Sequence, residues 1–344
     1  MVKEKGKFAV LLLFIVALVG SLAFLKWALI GRNLPRESFS EPMVKVLSYS
    51  TFVSSTGPAP QLVRAFKERC KCKVEFYTAG DAGLLLERLK LTQDKASYDV
   101  VLGFDQFAAS KAVSEWTWLD VSLPEEVQQN WAKGLPKDSM NPLVAFDYAP
   151  MTFIYRKDEV TSPPTTLKDL LKPDYAKSLS LQDPRSSSPG LQFLSWVEQT
   201  QDGLSYLKSL KKNIHSVSPS WALSYGLFKK KQSKFVFSYL TSLAFHYEIE
   251  GDSNFGALII EEGHPVQIEY AGVPKGCKNC EIGKDFVRFL LEKESQSLIA
   301  EKNFMYPVLG SAPLPKGFER LPELKYLPFV KTPPFFEVWD RAFE

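Results

Sequence analysis

Charge of one sign is what this sequence most lacks. Its 344 residues carry 42 Lys+Arg against 39 Asp+Glu, a formal net charge of +3. Nucleic-acid binders show a strongly basic domain or stripe; this balance supports none, and no nucleic-acid partner is expected. Histidine is scarce: His215, His246 and His264 are the three, with no metal-ligand spacing among them. They read as hydrogen-bonding structural residues, and no metal or cofactor is expected. Phosphate-loop, H-E-x-x-H and G-x-S-x-G patterns are absent, which removes the local marks of nucleotide binding, zinc proteolysis and serine hydrolysis. Repeats and low-complexity tracts are missing, and 45% hydrophobic with 24% charged residues is the makeup of an ordinary folded protein. The one membrane-length apolar run lies in the first thirty residues, so a polytopic membrane protein is excluded.

What is present begins with an export segment. Lys3, Lys5 and Lys7 precede an unbroken apolar run over residues 8–25 (FAVLLLFIVALVGSLAFL), the pattern of a secretory signal peptide. As a helix the run would be about 27 Å long, slightly short of a bilayer core of about 30 Å. Trp27, Ala28, Leu29 and Ile30 continue it past Lys26, so a full span stays open. Only Ser21 and Ala23 suit a cleavage site, and no cysteine follows for lipoprotein processing. With the lysines ahead of the run, everything after it is sent outside. Residues 1–30 are thus a signal peptide or membrane anchor, and 31–42 a polar linker with Pro35 and Pro42.

The four cysteines form two close pairs, Cys70 with Cys72 and Cys277 with Cys280. In an exported chain these read first as local disulfides, with a four-cysteine zinc site as the alternative.

Beyond residue 43 strand patterns alternate with helix patterns: KVLSYS, a helix through Leu62, Val63 and Phe66, then CKVEFYT, a helix through Leu85, Leu86 and Leu89, then DVVLG. That alternation predicts α/β units and a largely parallel sheet. A second extended region spans 146–155, with helix patterns at 167–171, 191–198 and 283–300. The length suggests two domains. Two α/β lobes with a ligand cleft between them are expected: 43–148 as the first lobe, 149–271 as the second, and 272–344 returning to the first with a proline-rich tail.

Residues 182–190 (QDPRSSSPG) open a helix with a serine-rich turn. Such a turn is an anion cradle at a helix start, or Ser187 or Ser188 is simply a cap with Pro189 in the first turn. Trp221, Tyr225, Phe228, Tyr239 and Phe245 suit a stacking box for a flat cation. Tyr225 and Phe228, spaced for one helical face, read as core, and Trp221 as the ligand candidate. Asp105 and Asp147 could neutralise a cation or serve as turn and cap residues.

Several segments resemble the periplasmic thiamine-binding proteins, the solute receptors of thiamine ABC importers. The matching stretches are residues 48–60 (SYSTFVSSTGPAP), 70–72 (CKC), 99–106 (DVVLGFDQ) and 146–155 (FDYAPMTFIY), then 181–196 (LQDPRSSSPGLQFLSW) and 220–228 (SWALSYGLF). Residues 237–246 (FSYLTSLAFH), 262–269 (EGHPVQIE) and 303–308 (NFMYPV) complete them, in order across about 280 residues. The resemblance implies a two-lobed type II periplasmic-binding-protein fold that closes on thiamine or its phosphates and acts without catalysis. It implies ligand contacts at Tyr49, Asp81, Ser187, Trp221 and Tyr239, which join Asp105 as site candidates. Phe245 stands where relatives carry tyrosine; stacking would survive while one hydroxyl bond, worth about 0.5–1.5 kcal/mol, would be lost. A monomer in the periplasm is implied, partnered by permease and ATPase subunits, and tethered to the inner membrane if residues 8–30 are not removed. The rivals are a thiaminase-like enzyme of the same fold, which would need a cysteine nucleophile, and a receptor for ferric ion or another small cation.

Overall fold

The computed structural model describes Lys26 and residues 41–92, 98–136 and 140–344. The apolar run at 8–25, the Ser21/Ala23 cleavage site and residues 31–40 of the linker lie outside the described residues. Among the described residues no helix is long and apolar enough to cross a membrane.

The described residues form eleven strands: β1 Met43–Ser48, β2 Lys73–Thr78, β3 Val100–Phe104, β4 Trp118–Leu119, β5 Val144–Arg156, β6 Leu179–Gln182, β7 Ile214–Ser218, β8 Phe235–Tyr239, β9 Phe255–Ala257, β10 Val266–Pro274 and β11 Tyr306–Pro307. The longer helices are α1 Ala59–Cys70, α2 Leu85–Thr92, α3 Gln106–Glu115, α4 Ser188–Thr200, α5 Gly203–Leu210, α6 Trp221–Lys229, α7 Cys280–Leu290, α8 Lys293–Lys302 and α9 Phe336–Phe343. The sheet path runs β2-β1-β3-β10-β5-β8-β6-β7. β1 pairs parallel with β2 and β3, and β6 pairs parallel with β7 and β8. Between these parallel halves β10 and β5 run antiparallel. Continuous apolar strands such as VVLGF are buried throughout because helices cover both faces of a parallel sheet.

β5 is the strand the two halves share. Its first part, to Pro150, pairs with β10, and from Met151 to Tyr155 it pairs with β8. The apolar cores divide at the same place. One contains Val46, Phe66, Leu102, Phe146 and Phe286; the other contains Phe153, Leu181, Phe193, Trp196 and Phe237. Both cysteine pairs are disulfides beside the first core.

Three local expectations change. Residues 167–171 form a 3-10 turn closed by a capping box between Thr166 and Asp169. The pattern at 283–300 is two helices, because Glu292 is extended and starts α8. The chain end, expected on the first lobe, packs mostly on the second: Leu321, Leu324 and Leu327 cover its clusters, and α9 buries Trp339 against α5. Amphipathic α9 has Trp339 and Phe343 four residues apart, one apolar stripe that needs a partner. Trp339, 2% exposed, should on replacement by Ala destabilise the fold by about 3–5 kcal/mol, read from urea unfolding.

Candidate functional site

Where β1 ends, Tyr49 takes an extended conformation and starts a short helical turn. This turns its hydroxyl inward, where it donates to Glu269 Oε2 at 2.7 Å and accepts from Asn303 Nδ2 at 2.9 Å. Asn303 also donates to Asp147 Oδ2 at 2.9 Å. Asp147 sits on β5 and Glu269 on β10, directly paired across the sheet. Strand alternation puts Gln267 on the face of Glu269, and Gln267 Nε2 donates to the Tyr239 hydroxyl at 2.9 Å and to Glu269 at 3.1 Å. Tyr239 comes from β8, so this network joins the two lobes.

A second cluster closes the opposite side. Asp81 Oδ2 accepts from the Trp221 backbone N–H at 3.0 Å and from Ser187 Oγ at 3.3 Å. Trp221 opens α6; its indole nitrogen donates to Ser238 Oγ at 2.8 Å, and its ring lies 6.1 Å from that of Tyr239. Ser187 occupies the position before α4, yet its side chain makes no cap bond. The cap expected of Ser187 or Ser188 is therefore not made: charged acceptors outcompete a backbone amide, and Ser188 Oγ donates to Asp105. Asp105 is itself a helix cap, accepting from the Phe107 and Ala108 N–H groups at 2.8 Å each.

Electrostatics set the character of the place. Asp147, Glu269 and Asp105 are almost fully buried, and among the described residues no lysine or arginine pairs with them or with Asp81. Burial pushes the Glu269 carboxyl up to about 8, and burial together with the Glu269 charge holds Asp147 well above the carboxylate range. Asp147 and Glu269 also share a hydrogen bond with each other, and among the described residues Gln267 Oε1 is a buried acceptor without a donor. Tyr239, raised by burial, lies in the fields of Glu269, Asp81 and Asp147. Such a cluster invites a cation that brings its own donors.

The profile of the bacterial extracellular solute-binding proteins matches residues 61–326. The chain belongs to this family. This solute-binding protein is 34% identical over 313 residues to a thiamine-binding periplasmic protein of Brucella abortus, covering 89% of this chain and 91% of that one. To the Escherichia coli K12 protein of the same description it is 33% identical, covering 88% and 94%. A solved structure described as a periplasmic thiamin binding protein superposes with a TM-score of 0.80 at 32% identity, covering 90% and 99%. The two-lobed type II fold expected from the sequence is thereby shown.

Of the sequence candidates, the structure brings together Tyr49, Asp81, Ser187, Trp221 and Tyr239, with Asp105 behind Ser188. Phe245 stands apart: half-buried, it packs edge-on against Phe304 at 5.3 Å. Tyr225 and Phe228 are core, as their spacing indicated. Sequence reasoning singled out neither Glu269 nor Gln267, Asn303 or Ser238. Their segments were noted, and the alternation of Gln267 and Glu269 on a strand was the available signal. A cavity of about 130 Å³ lined by Gln106, Tyr148, Gln192, Val266, Ile268 and Tyr326 lies on the other face of β10 and touches none of the site candidates.

Because burial raises the Glu269 pKa, the folded protein binds more protons than the unfolded chain between its usual range and about pH 8. Stability therefore falls as pH rises through that window. Thermal melts of the ligand-free protein from pH 5 to 8.5 should show this decline, and Glu269→Gln should flatten it.

Proposed function

We propose that this protein is an extracytoplasmic receptor for thiamine that hands its ligand to the permease and ATPase subunits of an ABC importer, working as a monomer. The observation that carries the reading is the set of buried carboxylates without basic partners, held beside the Trp221 ring and two tyrosine hydroxyls. Thiamine supplies what they lack: a cationic thiazolium ring and an aminopyrimidine with N–H donors. The relatives described as thiamine-binding support the same ligand. Tethering by an uncleaved residue 8–30 segment belongs to this proposal and is tested by fractionating cells.

Closure follows from which elements hold the site. Asp81, Asp147, Glu269 and Asn303 stand on the first lobe, while Ser187, Trp221 and Tyr239 stand on the second. A ligand touching both sets binds the closed form better and shifts the population towards it. Gly83 makes the approach possible: a Cβ there would meet Ser186 O at 2.7 Å and Ser187 N at 2.9 Å.

The thiaminase-like alternative needs a thiolate nucleophile. All four cysteines are held in disulfides, which favours a receptor. A ferric-ion receptor would not use a tryptophan ring.

Titration with thiamine, followed by tryptophan fluorescence, should give a saturable change at micromolar concentrations or below. No change at tens of micromolar overturns the reading. Trp221→Ala should weaken binding by about 1–2 kcal/mol through lost cation–π contact. Affinity should rise with pH up to about 8 as Glu269 loses its proton, and Glu269→Gln should abolish that rise. Gly83→Ala should weaken binding without lowering the melting temperature, since it obstructs only closure.

A further inference from the structure

The cavity behind β10 belongs to neither lobe alone. Phe107 and Leu135 of the first lobe and Ile268 of β10 give it apolar walls. From the second lobe α4 lines it with Gln192, Ser195 and Gln199, spaced for one helix face. Gln106 ties these walls together: its Nε2 donates to Val266 O at 2.9 Å and to Gln192 Oε1 at 3.3 Å, and its Oε1 accepts from the Ile268 N–H at 3.2 Å. Residues 326–330 of the tail add a further wall. That stretch is held by both halves, since the Leu327 N–H donates to His264 O at 2.8 Å and Phe329 packs against the first apolar core.

The lining is one-sided in its chemistry. Among the described residues that form it there is no carboxylate, and Lys133 is the one charged side chain. Among the described residues that lysine has no ion-pair partner. Gln192, 1% exposed, keeps an Nε2 with no acceptor among the described residues. Ser195 Oγ accepts from Gln199 Nε2 at 3.0 Å, which leaves its own O–H to donate. Tyr148 and Tyr326 bring two hydroxyls. A buried donor without an acceptor costs free energy that an acceptor arriving on a ligand removes. At about 130 Å³ the space is comparable with cavities of roughly 150 Å³ that hold benzene. Strand alternation puts Asp147 and Glu269 on the opposite face from Tyr148 and Ile268, so the two faces seek ligands of opposite charge.

We propose that this cavity is a second ligand site, taking a small single-ring monocarboxylate whose ring meets Phe107, Leu135 and Ile268 and whose carboxylate meets Lys133 and the amide and hydroxyl donors. Both lobes line it in the same arrangement in which Tyr239 of the second lobe meets Gln267. A ligand that fits this arrangement stabilises it, and so raises the affinity for thiamine in the cleft. The coupling rests on the thiamine reading; the site itself rests on the cavity and its lining.

Benzoate is the probe, with benzamide as its uncharged counterpart, each titrated calorimetrically into the full chain. Benzoate should bind at about millimolar concentration or tighter, about fivefold or more better than benzamide, and Lys133→Gln should remove that difference. Val266→Phe and Leu135→Trp fill the cavity from two different elements. Each should lose benzoate binding while thiamine affinity stays within about twofold of wild type. Saturating benzoate should tighten thiamine binding by about fivefold or more in wild type and leave it unchanged in the filled variants. No benzoate binding at about 10 mM, or equal binding of benzoate and benzamide, overturns the site. So does undiminished benzoate binding in either filled variant, or benzoate that competes with thiamine. Benzoate binding without any change in thiamine affinity overturns the coupling. Should thiamine itself not bind, the thiamine reading falls, and the benzoate titrations of wild type and the three variants still decide the site.

Discussion

Taking carboxylates out of water without a basic neighbour costs a protein free energy, and this fold does so at Asp105, Asp147 and Glu269 together. The surroundings are arranged to bear that cost. Asp105 is satisfied by the helix it caps and by Ser188. Asp147 and Glu269 are held by Asn303, Tyr49 and Gln267, and burial raises both pKa values so that they need not both be charged. The arrangement is incomplete in one respect, since Gln267 Oε1 retains no donor among the described residues. Such incompleteness is useful in a binding site, where a ligand can supply the missing donor.

The same constraint explains the lobes. A cation held from one side would remain half in water, where its attraction to a carboxylate is small. Here β5 runs through both halves, changing partner from β10 to β8 near Pro150. The acids sit on the stretch that belongs to the first lobe, and Tyr239 comes from the strand that β5 meets next. Trp221 and Tyr239 of the second lobe thus face the acids of the first. The final helix is stitched to the second lobe through Trp339 and to the 182–190 loop through the Arg185–Asp340 pair.

Much of this was legible beforehand. Continuous apolar strands, the helix pattern through Leu85 and Leu89 and the Pro-Gly helix start at 189–190 are local features, dictated by side-chain period and backbone preference. The assignment of Tyr225 and Phe228 to core follows from helical spacing. The alternation of Gln267 and Glu269 marks one face of a strand but not its burial, because a glutamate on a strand has the same local pattern whether it faces solvent or a cleft. Of the two readings of Ser187, cap or cradle, the cap fails for a related reason: its hydroxyl bonds a carboxylate 106 residues away, which no local rule contains.

The sequence by itself determined the alternating elements and a family resemblance strong enough to suggest the ligand. Each depends on residues close together along the chain. Only the tertiary structure decided that Asp147 and Glu269 are neighbours without a cation, and that the C-terminal helix serves the second lobe. Those facts arise from desolvation and from contacts between residues far apart in the chain, and the free energy of a buried charge is set by what surrounds it in three dimensions.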